Sequence, residues 1–260
     1  MAYAKSDLTK LHRSQKRGSY DKQLVHEILD QGVVAHVAYV DGEGNVKISP
    51  MIYGRQEDFL YLHGHVSAGV LRNGSIDLCF CMTLEDGLVL ARSGMHSSVN
   101  YRCVMVHGKA EEVADPTAKW SSLDLIVDHA AGPSPGFSQT VQRPMTEAEV
   151  ASTRVLRLEM KDGCVSAKTR AEGANDDKED IENPKLWAGI VPITRVYGPA
   201  VNDPSLRFHV LPPEAVRNYP KHRSGLPHCV EKRSGDHRPY IALALTFGAG
   251  LLVGAWMSKR

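Results

Sequence analysis

The sequence predicts a mainly β domain with flanking helices, followed by a C-terminal transmembrane helix. Three observations carry that expectation. Short β-prone apolar runs recur between turn residues from Val33 to Thr169, capped helical segments stand before and among them, and residues 240–257 hold 18 positions without a charge. With 42% hydrophobic residues among 260, the chain is long enough for one substantial core. Its 31 basic against 30 acidic side chains, with no basic stripe interleaved with aromatics, argue against a nucleic-acid partner. Five cysteines without CxxC spacing fit a reducing compartment, where thiols stay free.

Residues 1–18 read as a solvated arm. Its basic run Lys10 to Arg17 is not accompanied by the apolar stretch of a secretory signal. The folded domain is expected over 19–219. Asp21 caps a helix carrying Leu24, Val25, Ile28 and Leu29 on one face, with Gly32 just past its end. Val33 to Val40 and Val46 to Tyr53 form a hairpin across the DGEGN turn at 41–45, and Phe59 to His63 adds a third strand. A short helix is expected to begin near Ser67, its free N–H groups favouring a phosphate.

Leu78 to Thr83, Leu88 to Ala91 and Val104 to Val113 supply further strands, with Ser93 to Arg102 as a dense polar loop. Hydroxyls, an amide, an imidazole and a guanidinium in one loop suit an anion or a polar cofactor; the plain alternative is a solvated hairpin loop. Residues 118–129 place Leu123, Ile126 and Val127 at helical spacing with Trp120, and Thr146 with Glu149 makes a capping box. Val155 to Met160 and Val165 to Thr169 return to strand, 172–183 is acidic, and Val210 to Tyr219 makes a last short helix. Cys79 with Cys81, and His63 with His65, each share one face of a strand. A Cys/His metal site is the alternative, but free cysteines commonly serve as small buried hydrophobes, and no metal site is expected.

The run DGLVLARSGMHSSVNYR at 86–102 is joined by HVA at His36 to Ala38 and YLHG at Tyr61 to Gly64. SAKTR at Ser166 to Arg170 and WAGIVP at Trp187 to Pro192 follow in order. Together these blocks resemble the flavin-nucleotide-binding split-barrel proteins related to pyridoxamine 5'-phosphate oxidase and to the nitroimidazole-resistance proteins. The resemblance covers roughly residues 14–200 and implies an FMN-binding split β-barrel, with FMN at a homodimer interface and haem as the alternative cofactor. Carried across residue by residue, it implies Pro50, Met51, Ile52 and Tyr53 beside the flavin, and His63, Gly64 and Ser67 near the ribityl-phosphate. Ser98, Asn100, Tyr101 and Arg102 come from the central run, and Lys168 and Trp187 from the C-terminal blocks. His96 is the one candidate for acid–base chemistry.

Three positions depart from the family pattern: Gly69 where a basic residue is common, Ser97 where a second histidine is, and Cys103 in place of a serine. The resemblance implies a flavin-dependent oxidoreductase whose small-molecule substrate the sequence does not identify; the alternative is a non-catalytic flavin- or haem-binding module. Residues 220–239 read as a basic linker and 240–257 as a tail anchor. A helix of that length spans roughly 27 Å, close to a bilayer core. Tyr240 and Trp256 stand at its ends, and Gly250 with Gly254 makes a close-packing face; a buried core helix is the alternative. Basic residues before the span imply a cytoplasm-facing domain, with the mitochondrial outer membrane first and peroxisome or endoplasmic reticulum behind it.

Overall fold

A closed barrel of six strands organises the chain, and two flanking strands extend it on one side and one on the other. The computed structural model describes residues 1–72, 74–132, 136–207 and 210–223. In chain order the elements begin with β1 (Gly18–Ser19), α1 (Lys22–Gln31), β2 (Val34–Val40), β3 (Val46–Gln56) and β4 (Phe59–His65). Next come β5 (Ser75–Leu90), β6 (Ser98–Glu112), α2 (Pro116–Ala131), α3 (Phe137–Thr140) and α4 (Glu147–Ser152). The last are β7 (Thr153–Glu159), β8 (Val165–Arg170), α5 (Lys178–Glu182), β9 (Gly189–Pro192) and α6 (Glu214–Arg223). The expected mainly β domain with flanking helices is what forms.

Antiparallel pairing runs β6-β7-β4-β3-β2-β5, and the long β5–β6 hairpin closes the ring. One edge of β6 is shared: Tyr101 to Val106 pair with β8, whereas Glu111 and Glu112 pair with β7, so the sheet divides there. Inside lie Val37, Tyr53, Leu60, Leu62, Phe80, Met82, Val104, Val106, Leu156 and Leu158, all fully buried. Alternation along each strand dictates this, since every second side chain points inward. Helix α1 closes one end with Val25, Ile28 and Leu29, and Asp21 caps it by accepting from Leu24 N–H at 2.9 Å. A Cβ at Gly32 would collide with Met82 Sδ, which is why the chain leaving α1 needs glycine.

Several local expectations hold, and four change. The Thr146–Glu149 capping box opens α4, and Asp41 accepts from the Glu43 and Asn45 amides within the DGEGN turn. The expected strands at 78–83 and 88–91 are one strand, β5. It continues through a register shift between Glu85 and Gly87 that leaves Asp86 bulged, and the inward side switches from Phe80, Met82 and Leu84 to Gly87 and Val89. Ser98 to Arg102 belong to β6 rather than to a loop, because backbone pairing with Gly87 to Val89 extends the hairpin beyond its apolar part. The segment after His65 forms only a three-residue 3-10 turn, Gly69–Leu71, too short for the helix N-terminus expected near Ser67. The arm at 1–18 is packed down: Tyr3 is buried, and its hydroxyl donates to Asp58 Oδ1.

Among the described residues, no helix is long and apolar enough to cross a membrane. The expected span at 240–257 lies outside the described residues, as does most of the expected linker, whose first residues close α6.

Candidate functional site

The outer face of the β2–β3 hairpin is apolar and open. Register places Val34 opposite Ile52, His36 opposite Pro50, Ala38 opposite Ile48 and Val40 opposite Val46. Val46 and Ile48 are 75% and 64% exposed, far more than an isolated apolar side chain needs explaining, and they lie beside exposed Val34, Val40 and Ile52. On the other side of β2 the same face continues through Cys79 and Cys81 of β5, then His107 and Met105 of β6. Cys79 Sγ lies 4.0 Å from His107 Nε2, and burial pushes both the Cys79 and Cys103 thiols up, Cys103 to about 11. These thiols stay protonated at neutral pH and behave as small apolar groups.

Period-two geometry divides the predicted flavin-facing residues. Pro50 and Ile52 point out to the open face; Met51 and Tyr53 point into the barrel. Tyr53 is fully buried, its hydroxyl donates to the Leu29 carbonyl at 2.5 Å, and its ring meets Phe80 edge-on at 5.0 Å. It is a core residue. On β4, His63 is half-buried, its Nδ1 has no hydrogen-bond partner among the described residues, and desolvation lowers its pKa. Gly64 admits the 3-10 turn, since a Cβ there would lie 2.6 Å from Leu71 Cδ1. Ser67 is exposed, with its hydroxyl 2.7 Å from His65 Nδ1.

The central run separates into distinct partnerships. Ser98 is exposed on β6. Asn100 is buried; its Oδ1 accepts from Arg170 at 2.6 Å and from the Glu172 amide at 3.1 Å, and its Nδ2 has no partner among the described residues. Tyr101 lies under Lys168, whose Nζ is 6.0 Å from the ring centroid. Arg102 grips Asp86 with two hydrogen bonds of 2.9 and 2.8 Å and donates to Gln31 at 2.9 Å. His96 stands in a 3-10 turn with its Nδ1 3.7 Å from Asp176. Trp187 is 65% exposed and covers Gly189 of β9.

Sequence reasoning missed the charged staples around this region. Glu172 takes Lys16 and Arg17, Asp176 takes Arg92, and Glu112 takes Arg154. The acidic composition of 172–183 was visible, but its distant cationic partners were not. A separate cavity of about 190 Å³ on the α2 side is lined by Gln56, Tyr61, Val113, Ala118, Ser121, Ser122 and Arg157, none of them a predicted site residue.

Residues 21–166 match the family described as pyridoxamine 5'-phosphate oxidase. The chain belongs to that family. Lys168, Trp187 and the acidic segment lie beyond the matched residues. Two solved structures extend the family likeness. The flavocytochrome Anf3 from Azotobacter vinelandii is 32% identical, with 86% of this chain and 100% of that one covered at a TM-score of 0.75. The FAD and heme binding protein from Mycobacterium smegmatis is 30% identical, with 80% of this chain and 100% of that one covered at a TM-score of 0.73. No curated protein matches.

Proposed function

We propose that this chain is a homodimeric flavin-binding member of its family, working as an oxidoreductase on a small molecule. One observation carries the reading: the likeness to a flavocytochrome spans the whole of that relative. The residues present suit a flavin. Pro50 and Ile52 offer an apolar, exposed surface for an isoalloxazine ring at the β2–β3 face, where a second copy would cover Val46 and Ile48. His63 and Asn100 each carry a buried ring or amide nitrogen without a partner among the described residues, and Ser67, Ser98, Tyr101 and Lys168 add donors at the periphery.

Position 69 supports a modified phosphate end. A Cβ there would lie 2.9 Å from Tyr39 Oη, so a larger residue would need the tyrosine hydroxyl to shift, and exposed Arg72 is the nearest replacement in the chain. A bound flavin supplies hydride and electron transfer, while the chain orients it and excludes water. Haem is the second reading, favoured because one relative described above is named a flavocytochrome and the other an FAD and heme binding protein. The apolar stretch 240–257 supports a membrane tether with the domain on the cytoplasmic side, the mitochondrial outer membrane being the first candidate.

The test is the absorbance spectrum of the purified full-length chain, followed by titration with FMN, FAD and haem. Saturable binding of FMN or FAD is expected, with bleaching of the flavin when a nicotinamide donor is added without oxygen. A flavin that binds but stays oxidised with every donor would leave a binding module. Absence of flavin binding would overturn the reading.

A further inference from the structure

The turn before β6 and the segment after β8 meet at a set of groups outside those proposed to hold the flavin. One ring nitrogen of His96 and one carboxylate oxygen from each of Asp177 and Asp180 lie within 4.8 Å of one another. We propose that these three side chains bind a divalent transition-metal ion that ties the β5–β6 turn to the segment between β8 and β9. No metal site was expected from the sequence, where only the cysteine and histidine pairs of the strands were weighed.

Electrostatics supports the assignment first. Two carboxylates this close repel each other, and neither has a hydrogen bond or ion pair among the described residues that would relieve it. The nearby cations have other partners: Arg92 holds Asp176 at 2.9 Å, and Lys178 faces Glu182 at 3.9 Å. Asp177 stands at the N-cap of α5, where an aspartate normally accepts from a backbone amide, yet its side chain makes no capping bond. Its carboxylate is left for another ligand.

The second line comes from the groups behind His96. Its Nδ1 is buried and has no hydrogen-bond partner among the described residues, and it faces Asp176 Oδ1 at 3.7 Å. The Asp176 side chain is only 1% exposed and is itself fixed by the Arg92 backbone amide at 3.0 Å and by the Arg92 guanidinium. A metal on Nε2 would leave Nδ1–H directed at Asp176, the carboxylate–imidazole–metal relay by which ligating histidines are usually oriented. Asp176 is then a positioning residue and Asp177, Asp180 and His96 the ligands.

Ligand chemistry narrows the ion. Magnesium and calcium prefer all-oxygen shells, whereas one imidazole with two carboxylates suits manganese, ferrous iron or zinc. Three protein ligands leave the remaining positions to water.

The experiment uses the full-length protein stripped with a chelator. Mn2+ is titrated while the signal of free Mn2+ is followed by electron paramagnetic resonance, and pulsed measurements look for nitrogen modulation from an imidazole. One ion per chain is expected, with the nitrogen modulation lost in His96→Ala and affinity reduced by about tenfold or more in Asp177→Asn and in Asp180→Asn. Asp176→Asn should weaken binding by about 10- to 100-fold while keeping the nitrogen signal. Circular dichroism of each metal-free variant, matched to the parent, separates a lost ligand from a lost fold. Equal binding by the parent and the Asp177→Asn/Asp180→Asn double variant, nitrogen modulation that survives His96→Ala, or no binding at millimolar Mn2+ would each overturn the proposal.

Discussion

Arg102 and Asp86 form a two-pronged ion pair across the β5–β6 hairpin, and the bulge at Asp86 is what makes it possible. The register shift leaves Asp86 without a strand partner, and its carboxylate meets Arg102 Nε and Nη2 at 2.9 and 2.8 Å. Both side chains are mostly buried, at 15% and 19% exposure. Removing one charge therefore leaves the other poorly solvated. Arg102→Ala is expected to cost about 3 kcal/mol of stability, and Asp86→Ala a similar amount. The double variant should lose less than the sum, because neither charge is then stranded. Urea unfolding midpoints measure this, and additive losses would show that the pair is not coupled.

Tyr53 offers a contrasting test. Its hydroxyl serves the Leu29 carbonyl at the end of α1, inside the barrel. Tyr53→Phe keeps the ring against Phe80 and removes only that donor, so about 1–2 kcal/mol of stability should be lost. Flavin affinity, read by titration, should not change. A large loss of affinity at unchanged stability would return Tyr53 to the cofactor site.

How far the sequence could be read depended on the range of each interaction. Asp21 and the Thr146–Glu149 box were legible because a cap and its amide lie within one turn. The inward direction of Met51 and Tyr53 was also available, since strand period two gives them the opposite face from Pro50 and Ile52. Ser98 to Asn100 were not legible as strand: few of their side chains are apolar, and pairing with Gly87 to Val89 is a property of the backbone. Glu172 with Arg17, and Asp176 with Arg92, join residues 155 and 84 positions apart, and composition alone carries no information on such partners. The predicted site residues were therefore chosen by type, while the partnerships they make needed the fold.

The open β2–β3 face predicts assembly. Ile48 is 64% exposed at the centre of an apolar row, with Ala38 as its register partner in the hairpin. Ile48→Glu should leave the thermal unfolding midpoint of the isolated chain nearly unchanged, while sedimentation shifts from dimer to monomer. Flavin affinity should fall with it if the cofactor lies between copies. A parent chain that sediments as a monomer at all concentrations would remove the basis for this prediction.

Docking of the N-terminal arm should depend on pH from both sides. Tyr3 is 3% exposed, and its hydroxyl donates to Asp58 Oδ1 at 2.5 Å, while Lys22 Nζ reaches Asp58 Oδ2 at 2.6 Å and His26 Nε2 lies 3.1 Å from Oδ1. Burial alone would raise the Asp58 pKa, but the hydrogen bonds from Lys22, Tyr3 and His26 outweigh it and hold the carboxyl below its ordinary 3.8. A depressed carboxylate stabilises the folded state fully above its unfolded value, and that contribution disappears as pH falls through the folded one. Burial and then the Asp58 hydrogen bond push the Tyr3 phenol above its ordinary 10.0, so its contribution is complete below that pH and is lost on further alkalinisation. The arm should thus stay docked between about pH 4 and 10 and loosen outside that window. Hydrogen exchange of the amides of Tyr3 and Ala4, which pair with the Tyr20 carbonyl and the Asp162 carboxylate, reports docking directly. Asp58→Asn should raise exchange at neutral pH by the loss of about 1 kcal/mol, discounted for its partly exposed carboxylate, and flatten the acid limb. Tyr3→Phe should flatten the alkaline limb alone; an acid limb unchanged in Asp58→Asn would assign arm release to another group.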